Sequence, residues 1–180
     1  MTISAKTRLP DVLRPVDAVE VPLPGGSSAA LPVSRPTFQR WRGAPVAFEY
    51  GNKPILDGDG EACFAELVIL RLLLKSGWRG VWVESYGGTH YLQTMPNGWS
   101  LKSEHVPIPS DKHGLLQQIR RAAKTSACFD VFVWWDEESL FCEAKGKNDR
   151  FTRPQLRFIE GALACGIPPE ALLLVEWNAA

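Results

Sequence analysis

The chain has no Cys-x-x-Cys pair, no glycine-rich phosphate loop and no surplus of either charge. Its four cysteines (Cys63, Cys128, Cys142, Cys165) are scattered through apolar runs, which favours buried free thiols over a zinc site or a disulfide framework. Gly87-Gly88 is too short to cradle a phosphate, and no Gly-Lys-Ser/Thr element follows a strand. His90, His105 and His113 lack the spacing for metal ligation or for a nucleophilic triad. No apolar run reaches the ~18 residues of a membrane span, so no membrane partner is expected. The N-terminus lacks the apolar core of a signal peptide, which makes a cytoplasmic location the expectation. With 20 basic residues against 20 acidic ones, no whole-molecule field draws in nucleic acid; only a local patch can.

What is present fits one soluble domain. A chain of 180 residues, 45% hydrophobic, is long enough to bury a real core. Residues 1–36 carry Pro10, Pro15, Pro22, Pro24, Pro32 and Pro36 around Gly25-Gly26-Ser27-Ser28, which predicts a flexible tail over 1–36 and a single domain over 37–180. Trp41 to Tyr50 reads as a strand or small hairpin. Asp57-Gly58-Asp59-Gly60 has a calcium-loop look but no downstream glutamate, so it reads as a turn before a helix.

That helix, from about Glu61 to Ser76, is apolar almost all round and ends before Gly77. Glu66 is its interior exception, and a buried acid needs a partner. Either Glu66 serves a site or it pairs with Arg71 or Lys75. A strand at Gly80–Glu84 follows, then a turn at Tyr86–Thr89 and a long loop from Met95 to Ser110. Ser110 or Asp111 is placed to cap a helix from His113 to about Ser126. Farther on, Thr152 caps a helix with Pro154 in its first turn, and Leu172–Val175 is a final buried strand. The predicted fold class is α/β with a mixed sheet flanked by helices.

The richest stretch runs from Phe129-Asp130-Val131-Phe132-Val133-Trp134-Trp135, through Asp136-Glu137-Glu138-Ser139, to Leu140-Phe141-Cys142-Glu143-Ala144-Lys145-Gly146. Two apolar strands joined by a short polar turn predict an antiparallel hairpin. If Trp135 pairs with Leu140 across a four-residue loop, Phe132 faces Glu143 and Asp130 faces Lys145. Alternation then puts Asp130, Glu143 and Lys145 on one face. Charges in strands this apolar are costly to bury without a purpose. Converging carboxylates can hold a hard cation, and a nearby lysine can reach what that cation activates. The plain alternative is a strand-edge salt bridge between Glu143 and Lys145.

This pattern resembles the PD-(D/E)XK nuclease superfamily, in which an Asp opens one core strand and the next carries Glu or Asp, any residue, then Lys. Phe129-Asp130 stands in for Pro-Asp, and Glu143-Ala144-Lys145 matches the second half. Within the superfamily it is most similar to the virus-type replication-repair nuclease (VRR-NUC) branch, where Gly, a basic loop and a helix with Gln in its first turn follow. Here these are Gly146-Lys147-Asn148-Asp149-Arg150 and Gln155. The resemblance spans roughly Gly60 to Trp177. It implies a restriction-endonuclease-like core in the order α-β-β-β-α-β.

It also implies hydrolysis of DNA phosphodiester bonds with magnesium or manganese as cofactor. Asp130, Glu143 and the Ala144 backbone carbonyl would hold the ion, Lys145 would act on the attacking water and phosphate, and Gln155 would orient that water or Lys145. Glu66 matches the glutamate of the family's first helix that points at the metal. Two basic clusters flank this site: Lys147, Arg150, Arg153 and Arg157 after it, Arg120, Arg121 and Lys124 before it. They are candidate phosphate contacts, or else solvated helix faces. Cutting both strands favours a homodimer. The rival reading is a catalytically silent module of this fold that binds nucleic acid or a protein; such modules usually lose one of the Asp, Glu and Lys set, and all three are present.

Overall fold

Two-residue alternation and short apolar runs assemble most of the chain around one mixed sheet. The computed structural model describes residues 8–46, 53–85, 88–96 and 105–180. The strands are β1 (Asp17–Pro22), β2 (Ser28–Ser34), β3 (Thr37–Phe38), β4 (Leu56–Asp57), β5 (Ala62–Cys63) and β6 (Arg79–Glu84). They continue with β7 (His90–Leu92), β8 (Val131–Trp135), β9 (Glu138–Lys145), β10 (Leu172–Glu176) and β11 (Asn178–Ala179). The helices are α1 (Ala65–Lys75), α2 (Ser110–Ala123) and α3 (Arg153–Ala164). Parts of the expected strand at 41–50, the turn at 86–89 and the loop at 95–110 lie outside the described residues.

The main sheet has the order β1-β2-β10-β9-β8-β6-β7. Strands β6, β8 and β9 pair antiparallel, whereas β10 runs parallel to both β9 and β2. The α3 crossover between β9 and β10 is what makes that parallel pairing possible. Helix α1 covers one face, where Leu67 and Leu70 join Val131, Val133, Cys142 and Leu173. Helices α2 and α3 cover the other, where Leu116, Ile119, Phe158 and Ile159 join Phe132, Phe141 and Leu172. Both faces are buried, which is why the central strands read as unbroken apolar runs. All four cysteines are free thiols. Among the described residues, no helix is long and apolar enough to cross a membrane.

The expected flexible tail over 1–36 is corrected by the structure from residue 17 on, and its residues 1–7 lie outside those described. Residues 17–34 form a hairpin, β1 with β2, and β2 extends the main sheet through Val33 against Leu174 and Ser34 against Val175. Leu31 and Val33 are fully buried. The prolines are accommodated by position: Pro22 ends β1, Pro24 lies in the turn, and Pro36 follows β2. Pro32 precedes Val33, where pairing with β10 begins, so its missing N–H is not needed on that side. The domain therefore takes in the N-terminal hairpin and does not begin at residue 37.

Helix α1 starts at Ala65, later than expected, because residues 56–63 first form a small ladder of β4 with β5. Its C-terminus is closed by Gly77 at φ 92°, where a Cβ would meet the Trp135 ring at 2.4 Å. Ser110 opens α2 from within, and Pro109 stands at its N-cap.

Candidate active site

Chain order dictates how the site is assembled: β8 and β9 form the hairpin, and the chain leaves β9 directly into the loop that starts α3. The ladder pairs Val131 with Cys142, Phe132 with Phe141 and Trp135 with Glu138. The turn is therefore two residues, Asp136-Glu137, with Asp136 at φ 49°, not the four-residue loop expected. The expected facing of Phe132 with Glu143 and of Asp130 with Lys145 is corrected accordingly. Phe132 instead stacks on Phe141, centroids 4.5 Å apart and planes at 3°. Because the correction is a slip of two residues, it leaves every side chain on its original face. Extended by one step beyond β8, the same register sets Asp130 across from Glu143.

Glu143 and Lys145 lie among the last three residues of β9 and are 1% and 8% exposed. Lys145 Nζ is 2.9 Å from Glu143 Oε1 and donates to Gln155 Oε1 at 3.0 Å. Gln155 Nε2 donates to Glu143 Oε1. Gln155 is brought here by its place in the α3 capping box: its Oε1 accepts from the Thr152 amide at 2.9 Å, and its own amide donates to Thr152 Oγ1. Gln155 thus meets Lys145, one of its two expected targets, and Glu143 as well.

Asp130 stands at the bend before β8, half-buried, and its Oδ2 accepts from the Ala144 amide at 2.9 Å. Burial, then the Glu143 and Glu66 charges, push its carboxyl well above the ordinary range, although the Ala144 amide and Lys53 oppose this. Burial likewise raises Glu143 to about 7, with Lys145 opposing and Glu66 reinforcing. Glu66 is buried at 5% in the first turn of α1. The two partners considered for it are engaged elsewhere: Arg71 with Glu61 at 2.5 Å and Lys75 with Asp59 at 2.6 Å.

The partner of Glu66 is Lys53, whose Nζ meets Glu66 Oε1. Burial works against the Lys53 charge, but Glu66 chiefly, then Asp130 and Glu84, raises its pKa overall. Sequence reasoning missed Lys53, since nothing in Asn52-Lys53-Pro54 marks a lysine that folds onto an acid 13 residues away. Glu84, buried at 7% at the end of β6, was also missed; an acid closing the apolar run Val81-Trp82-Val83 was its signal.

Asp130, Glu143 and Glu66 thus come within each other's field, and among the described residues the buried Glu143 Oε2 and Glu66 Oε2 have no hydrogen-bond partner. Among the described residues, no three His, Cys, Asp or Glu side chains stand close enough to enclose an ion as they are. Asp130 turns to the Ala144 amide and Glu66 to Lys53.

The basic clusters divide. Lys147, Arg150 and Arg153 are exposed, and Arg157 is half-buried, around the start of α3. Arg121 and Lys124 are exposed at the end of α2. Arg120 is corrected: at 9% exposure it points from α2 into the protein, so it is not a surface phosphate contact. Its charge is felt at Tyr91 and Cys128. No family model, no curated protein and no solved structure matches the chain.

Proposed function

We propose that the protein is a metal-dependent nuclease that hydrolyses phosphodiester bonds in DNA, on a restriction-endonuclease-like core of the PD-(D/E)XK superfamily and nearest its VRR-NUC branch. The observation that carries this reading is the pair of buried carboxylate oxygens, Glu143 Oε2 and Glu66 Oε2, that have no hydrogen-bond partner among the described residues, the first on an acid ion-paired with Lys145. A buried carboxylate oxygen without a donor is costly and a cation would complete it, while each acid is paired through its other oxygen, Glu66 with Lys53 and Glu143 with Lys145. The core order helps: α1, β6, β8, β9, α3 and β10 follow one another as the family requires, with β7 and α2 added. The reading carries with it DNA as partner, a cytoplasmic setting, and a homodimer where both strands are cut.

The donor set fits a hard divalent cation, since every candidate is an oxygen. Asp130, Glu143 and the Ala144 carbonyl would hold magnesium or manganese, with Glu66 alongside. Magnesium keeps several of its waters, so two or three protein oxygens suffice. When bound, such an ion acidifies a coordinated water and offsets charge on the phosphate. The chain's own residues supply the rest. Lys145, clamped by Glu143 and Gln155, would keep its third N–H and its charge for the scissile phosphate or the attacking water. Gln155 keeps that ammonium in place, and the surrounding apolar strands exclude bulk water.

Purified protein should cut DNA with magnesium or manganese and stop in excess chelator, while calcium supports binding with little cutting. Asp130→Asn and Glu143→Gln should weaken manganese binding and cleavage together. Lys145→Ala should abolish cleavage with manganese binding unchanged or tighter, because a like charge beside the ion is gone. Calorimetric titration with manganese and a nuclease assay on each variant read both quantities. Cleavage that persists in chelator, or a Lys145→Ala enzyme at the wild-type rate, sinks the reading and leaves the silent binding module in its place.

A further inference from the structure

Lys145 stands at the head of a cleft of about 750 Å³ that owes one side to the N-terminal hairpin. Val19 and Val21 of β1 line that side, Lys147, Arg150 and Phe151 the other, and Trp177 at the end of β10 lies between. The hairpin, which reads in sequence as a tail, is therefore a wall of the approach to the site.

The lining selects its occupant. Trp177 stacks on Phe38, centroids 6.2 Å apart, and remains half-exposed at the cleft, whereas Phe151 is stacked on Phe129 at 6.3 Å and carries Lys145 Nζ 5.2 Å from its ring centroid. A ring such as Trp177 suits the face of an unpaired base, which stacks on aromatics without regard to sequence. Of the acids bordering the cleft, Glu176 is ion-paired with Arg35 at 2.9 Å, while Asp149 accepts from the Gly146 amide at 2.9 Å and Glu20 from Ser28, both keeping their charge. Lys147 and Arg150 are exposed and form no ion pair among the described residues, so they are the charges left for phosphates. A volume near the upper part of the small-ligand range holds about one or two nucleotides, not a helix. A duplex keeps its base faces stacked inside and offers only phosphates and groove edges, for which an aromatic cleft has no use.

We propose that this cleft binds an unpaired stretch of DNA strand that leads into the cutting site at Lys145. The substrate class is then DNA with a single-stranded segment next to the scissile phosphate. The cutting part rests on the nuclease reading; the binding part stands apart from it.

The experiment is fluorescence anisotropy in chelator, with a labelled oligo-dT of about 16 nucleotides and a duplex of the same length. Wild type is compared with Val19→Glu and with the double variant Lys147→Glu/Arg150→Glu. Val19 is half-buried on an edge strand, and the two basic residues are fully exposed, so the double variant keeps the test valid if Val19→Glu unfolds. The single strand should bind tighter than the duplex, and either variant should weaken single-strand binding by about tenfold or more, with Val19→Glu moving duplex binding much less. Equal affinity for the two forms, or single-strand binding untouched by both variants, overturns the proposal. Magnesium is then added to DNA carrying a single-stranded tail. Cleavage without single-strand preference defeats the cleft and leaves the nuclease standing. Variant-sensitive single-strand binding without cleavage in magnesium or manganese defeats the nuclease and leaves the cleft.

Discussion

The metal-free protein should lose stability as pH rises from about 5 to about 8, the reverse of ordinary acid denaturation. The cause is Glu143, whose carboxyl is raised from 4.5 to about 7, mainly by burial. The unfolded chain releases that proton near 4.5, whereas the folded chain holds it until about 7. Between those values the unfolded state binds fewer protons, so each step up in pH favours unfolding. The full gap is worth roughly 3 kcal/mol, or a fall of ~6–12 °C in melting temperature for a domain of this size. Asp130 is raised too and adds in the same direction. The lowered carboxyls of Asp17 and Asp59 act oppositely, but below 3.8 and outside this window. The assay is a series of thermal melts in chelator, on wild type and Glu143→Gln. The variant should flatten the slope, because it removes both the raised acid and one of the charges that raises Asp130. Manganese should stabilise wild type more at pH ~8 than at pH ~5, since protons compete for the same oxygens. A wild-type melting temperature that is flat or rising across this window refutes the reasoning, as does an unchanged slope in Glu143→Gln.

Lys53→Met should lower the metal-free melting temperature by a few degrees, roughly 1 kcal/mol after discounting for the exposure of Lys53, and should tighten manganese binding in titration. Deleting residues 1–35 should abolish the cooperative melt, because it strips Leu31 and Val33 from the core and leaves the β10 edge unpaired; a truncated protein that melts like wild type sinks the assignment of the hairpin to the domain. Gln155→Glu should keep helix content by circular dichroism while weakening cleavage about tenfold or more, since the cap is retained and the donor to Glu143 is lost.

The hairpin trio was legible because face depends only on parity. A turn two residues shorter than expected moved every cross-strand partner and no side chain's face, so Asp130, Glu143 and Lys145 stayed together. Helix α3 was legible for a local reason as well, in that Thr152 and Gln155 are a complete capping box within four residues. What failed was non-local. The alternation Ala29-x-Leu31-x-Val33 was present, but six prolines outweighed it, and only contact with β10 shows that those prolines sit where donors are not needed. Lys53 carries no local signal, because its role depends on a fold that returns it to Glu66. Arg120 illustrates the same limit from the other side: a charged residue beside Arg121 reads as surface, yet helical rotation turns it inward while its neighbour stays exposed.

Gln155 is where scaffold and site can be told apart by chemistry. A capping box is served as well by glutamate as by glutamine, since only a side-chain oxygen facing the N-cap amide is required. Here that oxygen accepts from Thr152 and also from Lys145, so an acid would satisfy both and would add charge for the lysine. The difference lies at the other atom. Nε2 donates to Glu143, and a carboxylate there would set a second negative charge against an acid already raised to about 7. The helix permits either residue; only the neighbouring carboxylate demands the amide. The choice of glutamine is therefore explained by Glu143 and not by the cap, which makes the start of α3 part of the site and not merely its support.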